Sequence, residues 1–232
     1  YDTVLELPFK SLNFDPIEHK YTDDKGQVYI SVTTLIQDDF DAEKIAARVI
    51  KSPRSKYYGM EKQAVLDMWA QSAPLGTLVH EAVEDYILHK KVTTNPEITP
   101  LVNQFAKLNF KGQLLTETVL HDEEYRLAGT ADILEWFDDC LWLFDIKTSV
   151  PKPNGIDMAP DKIHKYSLQL EIYKRLVEKC FGKPCNIGGI FWYKDFAKLR
   201  GKTKLQFQAV RDVSEEVDQI LQKRKWELIE ED

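Results

Sequence analysis

The sequence predicts an α/β fold: a central mixed β-sheet flanked by helices, with an N-terminal helical region set against it. Three observations carry this. Helical periodicity dominates from about Asp41 to Phe110, strand periodicity takes over from Leu114 to Ser149, and a helix, two strands and a last helix follow. The chain has 232 residues, 43% of them hydrophobic, enough for one sizeable core. We therefore expect one domain, with residues 1–112 as hairpin and helical region and 113–232 as the sheet core.

The chain opens with apolar pulses around Val4–Leu7 and His19–Thr22, a turn at Asp23–Gly26, and a further pulse from Gln27 to Val32, the pattern of a β-hairpin. In the helical stretch Pro53 and Pro74 mark breaks, and Thr94–Pro100 reads as a loop. Leu75, Leu78, Val79, Ala82, Val83, Tyr86 and Ile87 recur at helical spacing and form one apolar stripe. At about 100° per residue, His80 and Glu84 lie side by side at the edge of that stripe.

Strands are expected at Leu114–His121, Tyr125–Phe137 and Cys140–Ser149, the last two joined by a short turn at Asp138 and Asp139. After a loop over Pro151–Gly155 come a helix near Lys162–Cys180, strands near Asn186–Lys194 and Leu205–Arg211, and a final helix capped by Ser214. Internal repeats and low-complexity tracts are lacking.

The net charge of −7 argues against a passive nucleic-acid coat, which carries a basic surplus. It is compatible with carboxylates that hold divalent cations. Cys140, Cys180 and Cys185 are too few for a disulfide framework, a four-cysteine metal site or an iron–sulfur cluster. An intracellular, reducing compartment is expected, the cytoplasm or a host cell. No apolar run approaches the roughly 20 residues of a membrane-spanning helix, so no membrane partner is expected. The chain opens on Tyr1 rather than methionine, which leaves the native N-terminus, a targeting segment and the mitochondrion open.

Strand alternation puts Asp145 and Lys147 on one face, roughly 7 Å apart along the backbone. Asp132 falls on the neighbouring strand of the hairpin, where pairing would bring the two carboxylates to one end of the sheet. Two aspartates offer hard oxygen ligands suited to Mg²⁺ or Mn²⁺. A cation held there would neutralise charge on a phosphodiester and acidify a water, while Lys147 would orient or deprotonate that water or stabilise negative charge. An ordinary surface ion pair is the competing explanation for Asp-x-Lys. Phe144 and Ile146 imply a buried strand instead, where charges need a reason. His80-Glu81 suggests a zinc-protease helix, but Glu84 stands where that motif needs its second histidine.

Gly76–His80, Gly129–Asp132, Asp145–Ser149 and Gln169–Tyr173 occur in the order and approximate spacing of one nuclease group. Together they resemble the RecB-like branch of the PD-(D/E)XK, or restriction-endonuclease-like, nucleases. Ser31–Ile36, His80–Glu84 and Asp145–Pro153 are similar to segments of the mitochondrial genome maintenance exonuclease group and its phage or viral relatives.

The resemblance implies a PD-(D/E)XK core with the helical region over the catalytic edge, and roles for single residues. Asp132, Asp145 and the Ile146 carbonyl would bind Mg²⁺, with Mn²⁺ able to substitute, and Lys147 would serve the water. His80 would be a ligand or neighbour of a second metal. Gln169 and Tyr173 would position the DNA backbone or the lysine, with Thr148 and Lys165 also facing substrate; a core Tyr173 with Gln169 at its polar edge explains the same pattern. Glu117 and Glu84 are further acidic candidates, although an exposed strand glutamate accounts equally well for Glu117. The implied activity is a DNA exonuclease acting on single strands or free ends. A structure-specific endonuclease, or a non-catalytic recombination accessory module, is the alternative.

Lys152, Lys162, Lys165, Lys174, Arg175 and Lys179, interleaved with Tyr166 and Tyr173, would suit a backbone grip with base stacking, or simply a solvated helix face. No Gly-rich loop ending in Gly-Lys-Ser/Thr is present, so no helicase motor is expected.

Overall fold

The computed structural model of the chain describes residues 11–37, 42–70, 73–149, 158–194 and 205–231, together with Leu5 and Leu7. The strands are β1 (Leu12–Asp15), β2 (Lys20–Asp23), β3 (Val28–Ser31), β4 (Gln113–Asp122), β5 (Leu127–Phe137), β6 (Cys140–Ser149), β7 (Cys185–Lys194) and β8 (Leu205–Gln208). The helices are α1 (Val32–Leu35), α2 (Ala42–Val49), α3 (Lys62–Ala70), α4 (Ala73–His89), α5 (Thr99–Phe105), α6 (Pro160–Phe181) and α7 (Ser214–Glu231).

The turns explain themselves chemically. Between β2 and β3 the Asp23 carboxylate accepts from the backbone N–H of Lys25 and Gln27 at 3.0 and 2.8 Å. Between β5 and β6, Asp138 and Asp139 both adopt φ 54, the left-handed geometry that a two-residue hairpin needs and that Asp tolerates. Helix α6 ends at Gly182 in the left-handed conformation.

The strands form one mixed sheet, ordered β1-β2-β3-β5-β6-β7-β8, with β4 paired to β5 off that path. The β3–β5 and β6–β7 pairs are parallel and the others antiparallel. Helices cover both faces. On one, Leu168, Ile172, Leu176 and Val177 of α6 and Val217 and Leu221 of α7 pack on Leu134, Leu141, Leu143 and Trp192. On the other, Val79 and Val83 of α4 and Leu101, Val102 and Phe105 of α5 pack on Ile133, Ile146, Phe191 and Tyr193. Leu141 and Leu143 face α6, so alternation puts Asp145 and Lys147 on the α6 side and Ile146 on the α4 side. Among the described residues no helix is long and apolar enough to cross a membrane.

Several boundaries differ from expectation. β1 is an additional strand on the hairpin, whereas Val4, Glu6 and the whole loop Pro151–Gly155 lie outside the described residues. β5 starts at Leu127 rather than Tyr125 because Arg126 takes φ 46 in the preceding turn. Pro74 lies in the first turn of α4, where its missing N–H costs nothing, so it starts a helix instead of breaking one. Leu78 leaves the apolar stripe and is 44% exposed. Ser214 does not cap α7 with its own oxygen; its N–H and hydroxyl both donate to Asp212.

Candidate metal centre

One edge of β5 is taken by β4 along Leu127–Trp136. The other is shared, with β3 at Leu127 and Ala128 and β6 from Ile133 onward. Gly129 to Asp132 therefore border a gap where β3 and β6 part. Continuing the β5–β6 register would set Asp132 opposite Asp145, but the ladder stops at Ile133↔Phe144. In its place the Asp132 Oδ2 accepts the Ile146 N–H at 2.7 Å. A side chain has replaced a backbone carbonyl, and the strands splay where the two carboxylates stand.

On β4, Glu117 interrupts pairing between Thr116↔Ile133 and Thr118↔Ala131 with φ 43. A left-handed glutamate inside a strand costs about 1–2 kcal/mol, a strain that re-aims its side chain out of the alternation. Its Oε1 comes within 3.4 Å of His80 Nδ1.

Helix α4 delivers His80 from the opposite face. Its close approach depends on Gly76, where a Cβ would stand 3.2 Å from Thr148 Oγ1. The imidazole sits among oxygens: Nδ1 lies 3.4 Å from Glu117 and 3.7 Å from Asp132 Oδ1, and Nε2 lies 3.1 Å from the Ile146 carbonyl. Burial opposes charging this ring, but its hydrogen bond to Glu117 and the field of Asp132 outweigh that and raise its pKa to about 9. At neutral pH it is an imidazolium donating from both nitrogens. Ligand atoms of His80, Glu117 and Asp132 lie within 4.8 Å of one another, a grouping able to hold a metal ion.

Asp145 is 3% exposed. Its oxygens lie 2.9 and 2.7 Å from Lys147 Nζ, yet Oδ2 makes no well-directed hydrogen bond. Burial pushes its carboxyl well above the ordinary carboxylate range, despite the opposing pull of Lys147. Burial works against the Lys147 ammonium too, but Asp145 and Asp132 overcome it and hold the proton on Nζ. That ammonium stands 5.0 Å from the centroid of the Tyr166 ring.

The Asp132 and Glu117 carboxylates beside His80, with the Ile146 carbonyl 3.1 Å from Nε2, form a hard-donor set; Asp145, its Oδ2 under-bonded next to Lys147, is not one of the clustered ligand groups. The residues present fit a small divalent cation.

Gln169 and Tyr173 are both buried, and Gln169 hydrogen-bonds the Tyr173 hydroxyl. A Cβ on Gly129 would stand 2.3 Å from Tyr173 Cε1, so the ring fills the space that this glycine leaves. The pair buttresses Gly129–Asp132 from the core. Lys165 stands near Lys147, and burial together with repulsion from that ammonium lowers its pKa. Thr148 lies beneath Gly76. Glu84, a turn beyond His80, has its pKa raised by burial and then by Glu117, but it is not one of the clustered ligand groups.

The basic set on α6 does not form one free face. Arg175 is bound to Glu171, Asp218 and the Ser214 carbonyl, and Lys179 lies 3.8 Å from Glu124. Lys152 lies outside the described residues. Sequence reasoning left Tyr166 out of the site; its spacing from Gln169 and Tyr173, one face of one helix, was the available signal.

No protein-family model matches the chain, and no curated protein matches it. Among solved structures it is similar to a protein provisionally named as an exonuclease from Eubacterium rectale. The two are 12% identical with a TM-score of 0.42, over 87% of this chain and 79% of that one. At that level nothing follows for this chain's activity.

Proposed function

We propose that this chain is a metal-dependent deoxyribonuclease of the PD-(D/E)XK type, RecB-like branch, hydrolysing phosphodiester bonds at single strands or free DNA ends. The observation that carries the reading is the splayed end of β5 and β6, where Asp132 accepts the Ile146 N–H, His80 approaches Asp132 and the Ile146 carbonyl, and Asp145 pairs with Lys147 on the same strand.

Asp132, Asp145 and the Ile146 carbonyl would hold Mg²⁺, with His80 and Glu117 beside it. A cation bound there neutralises charge on the scissile phosphate and acidifies an attacking water. Lys147 keeps its proton at Nζ, held there by Asp145, so it donates hydrogen bonds to the water or to a phosphate oxygen and stabilises negative charge. Tyr166 excludes water from one side of that ammonium, and Lys165 supplies a second cation for the backbone. Gln169 and Tyr173 fix the segment that carries Asp132.

The test is digestion of end-labelled linear and covalently closed circular single-stranded DNA, with Mg²⁺ or with EDTA. Loss of the linear form alone, blocked by EDTA, is the expected result. Cleavage of the circle would make the enzyme an endonuclease, and DNA binding without cleavage under any metal would make it an accessory module.

A further inference from the structure

The chain carries a net charge of −7, yet Lys44 to Lys62 contains Lys44, Arg48, Lys51, Arg54, Lys56 and Lys62 against the single carboxylate Glu61. The middle of this segment, between α2 and α3, is a built loop. The Gly59 N–H donates to the Ile50 carbonyl at 2.9 Å and closes it, with Gly59 at φ 74. Further bonds run from Ser55 N to Ser52 O and from Tyr58 N to Ser55 O, at 2.9 and 3.1 Å. Tyr57 pins the loop to α3, accepting from Trp69 Nε1 at 3.0 Å while the two rings meet edge to face.

The loop turns Lys51, Arg54, Lys56 and Tyr58 outward, all exposed, with Tyr58 at 59%. Among the described residues the first three have no carboxylate partner, and the Lys56 ammonium rests 4.8 Å over the Tyr57 ring. A cluster of unpaired, exposed cations makes a local positive potential on this acidic chain, one that draws in a polyanion. Arg48 adds a direction: its guanidinium lies 3.3 Å from Asp161, in the first turn of α6. Lys165 follows one helical turn later, about 6 Å along the axis, and its ammonium already feels Lys147. The Arg48–Asp161 pair thus sets the end of α2, where the loop begins, beside the start of α6, the helix that carries Lys165.

We propose that the Lys51–Gly59 loop is a preformed grip for the sugar-phosphate backbone of single-stranded nucleic acid, with Lys51, Arg54 and Lys56 on successive phosphates and Tyr58 stacking on a base. The identity of the ligand rests on the nuclease reading. A single strand suits the loop better than a duplex because an exposed ring needs an unstacked base face.

The test is fluorescence anisotropy with 5′-fluorescein-labelled thirty-nucleotide oligo(dT), in EDTA so that nothing is cut, between 50 and 200 mM KCl. Each lost phosphate contact on a single strand removes about 0.7 from the slope of log affinity against log salt, so Lys51→Ala/Arg54→Ala/Lys56→Ala should lower its magnitude by about 2. Over that fourfold range wild-type affinity should then fall about 16-fold more than the variant's. Lys51→Arg/Lys56→Arg should keep the wild-type slope, as should Lys25→Ala/Lys107→Ala/Lys223→Ala, which removes equal charge elsewhere. Tyr58→Ala should weaken binding at every salt concentration without changing the slope. An unchanged slope in the loop variant overturns the proposal, as does loop-dependent binding to phosphatidylserine vesicles without any effect on oligo(dT). The nuclease reading fails separately, on absence of cleavage with Mg²⁺, which leaves a measured slope difference standing.

Discussion

The imidazolium of His80 stands where ligands for a cation converge, so a metal must compete with its proton. The perturbation is a change of pH. With the folded-state pKa at about 9, roughly one molecule in a hundred carries a neutral ring at pH 7, which weakens any metal bond to this residue about 100-fold. The neutral fraction rises toward pH 9, from about 1% at pH 7 to about 24% at pH 8.5, so Mn²⁺ should bind about 24-fold tighter at pH 8.5 than at pH 7. Free Mn²⁺ counted by electron paramagnetic resonance gives these affinities directly. His80→Gln carries no imidazolium proton to displace and should reduce the dependence, leaving the part that the raised Asp145 carboxyl contributes. Equal wild-type affinity at the two pH values, or an undiminished slope in His80→Gln, refutes the reasoning. The sign for stability is the reverse. A histidine whose pKa is raised from 6.5 to about 9 stabilises the metal-free fold fully below pH 6.5 and loses that stability as pH climbs through 9, on the order of 3 kcal/mol. The Tm of EDTA-treated protein should fall across that window, and that of His80→Gln should not.

Gly129→Ala drives a methyl to 2.3 Å from a buried tyrosine ring, and overpacking of this kind costs about 1–3 kcal/mol. For a chain of this size that lowers Tm by about 2–12 °C, and Tyr173→Leu in the same chain should restore most of it. An unchanged melt in the single variant would show that the ring is not fixed there. Lys147→Ala should keep its fold and its Mn²⁺ binding while cleavage falls by orders of magnitude; near-normal turnover would remove the lysine from the mechanism. Asp132→Asn keeps an oxygen for the Ile146 N–H, so the fold should be retained while Mn²⁺ affinity falls at least tenfold.

Asp145 and Lys147 were legible as a pair because strand period two is rigid, and Asp132 because the Asp138-Asp139 turn sets how far its strand doubles back. The two-sided cover of the sheet followed from helix, strand and helix patterns in turn. His80 was placed by motif resemblance, since its own helix face gives only a boundary position. The splay of β5 from β6 was hidden, because an aspartate replacing a backbone acceptor looks like any strand aspartate. Glu117 was ambiguous for a related reason: nothing in glutamate's propensity announces a left-handed residue in mid-strand. Tyr166 was read as a ring among the α6 cations, because spacing cannot show which ammonium a ring packs on. The α6 cations looked like one patch until α7 came beside them and engaged Arg175. The cationic loop before α3 was missed because whole-chain charge averages it away.

Anomalous diffraction from crystals soaked in Mn²⁺ asks most directly whether a cation sits where this account puts it. A peak is expected in contact with carboxylate oxygens of Asp132 and Asp145 and with the Ile146 carbonyl, lost in Asp145→Ala. Manganese bound only elsewhere, or a peak that survives Asp145→Ala unchanged, would contradict it.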